Sequence, residues 1–187
     1  MPGIRLPQGP WRVGWAIDWH TRALPGSYER TELGELLYRL KYQFDREQIA
    51  PIVEIVISFL SQLIIWQKLQ VVVPVPPSDT SRPFQPVLEI ARAIAERTHL
   101  TIVPDALVKI RPTPMLKDIE DLEQRRQLLQ GAFAVQRPEL LRRKWVLLFD
   151  DLYRSGITLE YATRTLIEQG GVDRVYALVL TKTRTRV

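Results

Sequence analysis

The pattern of apolar and polar positions changes character twice along the chain. Residues 11–23 (WRVGWAIDWHTRA) alternate loosely, which predicts one or two short strands, although the four-residue spacing of Trp11, Trp15 and Trp19 also fits a helical stripe. From Glu29 the period becomes helical: Leu33, Leu36, Leu37, Leu40 and Phe44 recur at spacings of three and four, with Thr31 placed as the N-cap. A second helix is expected from about Arg46 to Trp66, with Pro51 near enough to its start to be tolerated. Beyond residue 68 short β-branched runs take over. Leu69–Val75 (LQVVVPV) reads as a strand buried on both faces and closed by Pro76-Pro77, and a helix is expected near Pro86–Arg97. Extended pieces are expected at Thr101–Val103, Leu107–Ile110 and Ala132–Val135, with a mixed-charge, helix-like stretch at 117–126. The strongest strand is Trp145–Phe149 (WVLLF), leading into a loop, a helix over about Ile157–Gln169, a Gly170-Gly171 stop and a last strand at Arg174–Leu180.

Strands alternating with helices predict an α/β fold whose sheet is mainly parallel, twisted and flanked by helices. Two parts are expected: an N-terminal segment, 1–67, of short Trp-rich strands and two helices, and an α/β domain over 68–187. The long apolar stretch Ile49–Trp66 contains Pro51, Glu54, Ser58, Ser61 and Gln62, so it reads as a core helix and no membrane span is expected. The opening MPGIRLPQGPWRVG is broken by Pro2, Pro7 and Pro10 and has no apolar core of signal length, which predicts a cytoplasmic protein.

Composition narrows the chemistry. With 45% hydrophobic and 25% charged residues in 187, the chain has the make-up of a folded globular protein. The absence of cysteine excludes disulfides, thiolate nucleophiles and cysteine-held metals, and leaves only His20 and His99 as soft ligands, neither with a partner motif. A net charge of +5 is carried by 20 arginines and 6 lysines. Arginine suits bidentate contact with phosphate or carboxylate, so nucleic acid, an anionic small ligand and a plain solvated basic face all stay open.

In open parallel sheets, ligands bind beyond the carboxyl ends of the strands, which directs attention to the residues just after WVLLF. Asp150 and Asp151 come first, then Leu152-Tyr153-Arg154-Ser155-Gly156-Ile157-Thr158, opening directly into a helix. Amides at a helix N-terminus form an anion site; Gly156 allows close approach of the backbone, Ser155 and Thr158 add hydroxyl donors and Arg154 adds charge. Two carboxylates beside a phosphate cradle would repel phosphate alone. They suit a ligand with hydroxyls or a metal next to its phosphate, as in a phosphorylated ribose. The plain alternative is an acid that caps the helix. A Walker-type ATPase and a dinucleotide fold are disfavoured, because neither G-x-x-x-x-G-K-[ST] nor G-x-G-x-x-G occurs.

Residues 146–158, VLLFDDLYRSGIT, resemble the phosphoribosyl pyrophosphate fingerprint of type I phosphoribosyltransferases. The order of further elements resembles the ComF-type competence proteins, also called amidophosphoribosyltransferase-like: Leu40-Lys41-Tyr42, Pro74-Val75-Pro76, Arg82-Pro83-Phe84-Gln85, Lys109-Ile110-Arg111-Pro112-Thr113, and Arg125 ahead of Gly131-Ala132-Phe133. This likeness runs from about residue 36 to the end. The chain departs from the family pattern in lacking the N-terminal cysteine zinc module, with the Trp-rich segment in its place. It also has Pro83 for a glycine, Leu116 for a glutamine, Leu128 for an asparagine, and Arg154-Ser155 for a Thr-Thr pair.

The resemblance implies a type I phosphoribosyltransferase-like fold that binds phosphoribosyl pyrophosphate, or a phosphoribosyl nucleotide, with Mg2+. By that likeness Asp150 and Asp151 take the ribose hydroxyls as the catalytic pair, and Arg154, Ser155, Gly156, Ile157 and Thr158 hold the 5′-phosphate. Arg82, Lys109 and Arg111 face the pyrophosphate. Mg2+ is held by the ligand's oxygens and water, with Asp150 and Asp151 as its nearest protein groups, rather than by a dedicated cage. Two classes stay open: a phosphoribosyltransferase acting on an amine or base, and a non-catalytic nucleotide-sensing competence protein. The second would also bind single-stranded DNA through the basic tail Lys182, Arg184 and Arg186. A homodimer is implied by the resemblance alone.

Overall fold

A computed structural model describes residues 3–111, 119 and 121–184. In chain order its elements are β1 (Ile4–Arg5), β2 (Val13–Trp19), β3 (Thr21–Leu24), β4 (Ser27–Arg30), α1 (Glu32–Tyr42), α2 (Ile49–Ser61), β5 (Val71–Pro74) and α3 (Pro86–Glu96). They continue with β6 (Thr101–Ile102), β7 (Leu107–Lys109), α4 (Leu122–Leu129), β8 (Phe133–Val135), α5 (Pro138–Leu141), β9 (Trp145–Tyr153), α6 (Ile157–Glu168) and β10 (Arg174–Lys182). The central sheet has the order β1-β2-β10-β9-β5-β6. Only β1 runs antiparallel, against β2; every other pairing is parallel. The chain is therefore an α/β protein with a mostly parallel central sheet flanked by helices.

Both faces of this sheet are covered, which explains why β5, β9 and β10 are apolar nearly throughout rather than alternating. Because successive strand residues point to opposite faces, each strand feeds two cores. Val73, Val146, Leu148, Ala177 and Val179 pack with Ile157, Ala162 and Leu166 of α6. Val72, Leu147, Phe149, Tyr176 and Leu178 pack with Leu37 and Leu40 of α1, Ile52, Val56 and Leu60 of α2, and Ile90 and Ile94 of α3. Trp15 of β2 lies in this second core, its ring stacked on Tyr176 at 6.1 Å. Trp15 and Trp19 thus belong to a strand, with Trp11 in the bend that precedes it, and the three do not form a helical stripe. Since β2 pairs directly with β10, and residues before 67 pack into both cores, the first 67 residues and the remainder share one sheet and its two cores.

Several elements differ from the sequence pattern for local reasons. Helix α1 begins at Glu32, where the Thr31 side chain accepts from the Gly34 amide; residues 27–30 instead pair with 21–24 as a hairpin around Gly26 at φ +75°. The expected helix over 46–66 is shorter, with a 3-10 turn at Arg46–Gln48, α2, and a second 3-10 turn at Trp66–Lys68. Strand β9 does not stop at Phe149. Asp150 to Tyr153 remain paired with β10, from Val179↔Asp150 to Lys182↔Tyr153. On its other side, the β5 ladder ends at Pro74↔Phe149 and the chain turns away at Pro76-Pro77, which lack the amide a ladder needs. Strand β9 therefore overhangs β5, and a cleft opens at the step between them. Among the described residues no helix is long and apolar enough to cross a membrane.

Candidate functional site

At the overhang the two acids of β9 diverge, as strand alternation requires. Asp150 has the parity of Val146 and Leu148 and turns toward the α6 side; Asp151 has the parity of Leu147 and Phe149 and turns toward α1. A cleft of about 260 Å3 lies over them, walled by Lys41 and Tyr42 of α1, the 75–79 loop, Arg82, and Arg154 and Thr158. A smaller cavity of about 100 Å3 adjoins it at the start of α6, lined by Asp150, Arg154, Ser155, Gly156, Thr158 and Arg125 among others.

Lys41 crosses the cleft to Asp151, its Nζ donating to Oδ2 at 2.6 Å. Burial alone would lower the Lys41 ammonium, but the Asp151 carboxylate, by charge and by hydrogen bond, outweighs it and holds the group above its ordinary value. Asp150 is placed differently. Burial, then the neighbouring Asp151 charge, push its carboxyl up to about 7, against the Asp151 amide it accepts from at 2.8 Å and the opposing charges of Lys41 and Lys109. Side by side in sequence, one acid is ion-paired and the other is proton-retaining near neutrality.

The start of α6 shows why glycine stands at 156. Its φ is +80°, and a Cβ there would collide with the Tyr153 hydroxyl oxygen and lie 2.7 Å from two ring carbons. Only glycine satisfies both the backbone and the contact. No side chain caps this helix, and Arg154, Ser155, Gly156 and Thr158 at its start line the small cavity.

On the far wall the chain after β5 is braced by Asp79, which accepts from the Ser81 amide and hydroxyl at 3.0 and 2.6 Å; these bonds hold its carboxyl below the ordinary value. Arg82 reaches Asp79 at 3.4 Å and the Lys41 carbonyl at 3.4 Å, and its guanidinium lies 5.7 Å from the Tyr42 ring centroid. Lys109 donates to Ser78 Oγ at 2.7 Å, and burial lowers its ammonium against the pull of Asp150. Arg82 lines the cleft directly and Lys109 reaches its wall through Ser78. Arg111 stands apart: it is exposed, its guanidinium lies over Gly131, and it lines neither cavity. The Pro112-Thr113 loop, Leu116 and Arg186 lie outside the described residues.

Two residues at the site have no role that the sequence alone assigns. Lys41 belongs to a recognisable tripeptide, but nothing local marks a partner 110 positions away. His20, after β2, sits 3.1 Å from Thr181 Oγ1, which itself donates to the Asp151 carbonyl at 3.5 Å. Burial, then Arg30, Lys41 and Arg154, lower its pKa, a sign of how many cations gather at this end of the sheet. No three acidic or histidine side chains form a metal-holding group among the described residues. A scan against protein-family models finds no match for the chain, and no curated protein matches it.

Proposed function

We propose that the cleft binds phosphoribosyl pyrophosphate, or a phosphoribosyl nucleotide, in a type I phosphoribosyltransferase-like manner. The observation that carries this reading is the run from Asp150 to Thr158: two adjacent acids on a central parallel strand lead within five residues to an uncapped helix N-terminus with glycine in left-handed conformation. The carboxylates accept from the 2′- and 3′-hydroxyls of a ribose, and the first amides of α6, with Ser155, Thr158 and Arg154, take its 5′-phosphate. The pyrophosphate then points across the cleft toward Arg82 and the Ser78–Lys109 pair.

The donor set suits a magnesium ion carried by the ligand's oxygens and water rather than by a protein cage, because one acid is already paired with Lys41 and no three acidic or histidine side chains gather there among the described residues. Asp150 and Asp151 would be its nearest protein groups, and when bound it would neutralise and orient the pyrophosphate. In transfer, the bond from the anomeric carbon to pyrophosphate oxygen breaks and a bond to the acceptor nitrogen forms, with the electron pair leaving on pyrophosphate. The acids oppose the positive charge developing on the sugar ring, while the cations hold the leaving group.

Calorimetric titration with phosphoribosyl pyrophosphate and Mg2+ tests the reading. Binding is expected for the wild type and is lost, by about a hundredfold or more, in Asp150→Asn/Asp151→Asn, which replaces both carboxyl groups. Absence of wild-type binding would overturn it.

A second reading, a non-catalytic binder of single-stranded DNA, draws on another observation. Lys182 and Arg184 both lie against the Trp19 ring, at 5.6 and 4.6 Å, beside the His20 position that Arg30, Lys41 and Arg154 surround. Such a rim suits a polyanion, and its affinity for a single strand would fall steeply with salt. No salt dependence would remove this reading.

A further inference from the structure

Lys41 touches both walls of the cleft. Its ammonium holds Asp151 at 2.6 Å, and its carbonyl accepts from Arg82 at 3.4 Å. The side chains of the pair are only 19% and 13% exposed, so neither charge is well served by solvent and each depends on a partner. Helix α1 ends immediately afterwards, with Gln43 as C-cap and Phe44 at φ +56°, which fixes the backbone that presents the ammonium.

A ligand hydroxyl donating to Asp151 competes with Lys41 for the same carboxylate. A lysine ammonium is a compact charge on a flexible stem and moves to a new partner more readily than a guanidinium does. On the same side of the cleft, the pyrophosphate that the proposed binding mode sets against Arg82 and the Ser78–Lys109 pair would be the strongest partner at hand. We propose that Lys41 is an exchange residue that makes the site selective for diphosphates. It yields Asp151 to the ribose diol and transfers its ammonium to the pyrophosphate of the same ligand. The inference rests on the phosphoribosyl reading and goes beyond it, because it assigns the preference for a diphosphate over a bare sugar phosphate to a residue outside the 146–158 run.

The test compares phosphoribosyl pyrophosphate, ribose 5-phosphate and inorganic pyrophosphate, each with Mg2+, by calorimetry. Lys41→Met is expected to weaken phosphoribosyl pyrophosphate about tenfold, the scale of one charge-assisted hydrogen bond, while ribose 5-phosphate holds or tightens. Equal weakening of both ligands would mean that Lys41 only steadies Asp151, and would overturn the proposal. A second variant keeps the test independent of how Lys41→Met folds: Asp151→Asn releases the ammonium and should bind inorganic pyrophosphate several-fold more tightly than wild type. That gain should vanish in Asp151→Asn/Lys41→Met. A gain that survives in the double variant comes from loss of the acid's charge alone and overturns the exchange. Wild-type protein that binds none of the three ligands overturns the phosphoribosyl reading itself, whereas binding without these contrasts overturns only the role of Lys41.

Discussion

At the end of β9 the two sides of the sheet receive adjacent acids and treat them differently. On the α1 side Asp151 meets Lys41 at 2.6 Å, a partner brought from 110 positions away. On the α6 side Asp150, half-buried where it lines both cavities, has no such partner, and desolvation with the neighbouring Asp151 charge pushes its carboxyl up to about 7. The two carboxylates are the same chemical group one peptide apart, so what separates them is the tertiary neighbour that each face supplies. A pair split in this way offers one acceptor held in an ion pair and one whose charge changes near neutral pH.

The contrast can be broken most directly through stability. Asp151→Ala leaves the mostly buried Lys41 ammonium without its carboxylate and should cost about 2–3 kcal/mol in urea unfolding, less than for a fully buried pair because Lys41 retains some exposure. If the cost is within error of zero, the ion pair does not distinguish the two sides. On the α6 side Gly156→Ala should cost about 2 kcal/mol by thermal unfolding, from the left-handed backbone and the Tyr153 contact together. Tyr153→Phe should restore little of it, because ring carbons as well as the hydroxyl stand in the way.

The pH dependence of Asp150 is the next test. Its ordinary value is 3.8 and its folded value about 7, so between these limits the folded state binds the extra proton. Its contribution to stability is therefore fully present below about pH 4 and is lost as pH rises through about 7. Asp150→Asn should be more stable than wild type by about 1–2 kcal/mol at pH 8 and show no advantage at pH 4. An advantage independent of pH would mean that Asp150 titrates normally. The smallest contrast concerns the cations. Arg82→Ala is expected to weaken phosphoribosyl pyrophosphate about tenfold, and Arg111→Ala by less than about twofold, read by calorimetry. Equal losses would return Arg111 to the cleft.

Much of the α6 wall is legible in the chain because its information is local. An apolar run, two acids, a glycine and a helical period are contiguous, and local sterics decide what each does. The opposite wall draws on α1, the loop after β5 and β7, and no spacing relates Lys41 to Asp151 or Lys109 to Ser78. Lys109 and Arg111 look equivalent in sequence; in the structure β7 carries Lys109 to Ser78, whereas Arg111, beyond the strand, lies over Gly131.

By itself the sequence determined the continuous apolar runs that build a two-faced parallel sheet, the Thr31 cap, and glycine at 156, since hydrophobic patterning and backbone sterics act over a few residues. Tertiary structure alone decided that β2 joins β10, that β9 continues through Asp150 and Asp151 beyond the end of β5, and that Lys41 closes on one acid and not the other. Those outcomes depend on strand register and on distances between segments far apart in the chain, where burial and charge are set by neighbours that sequence order does not name.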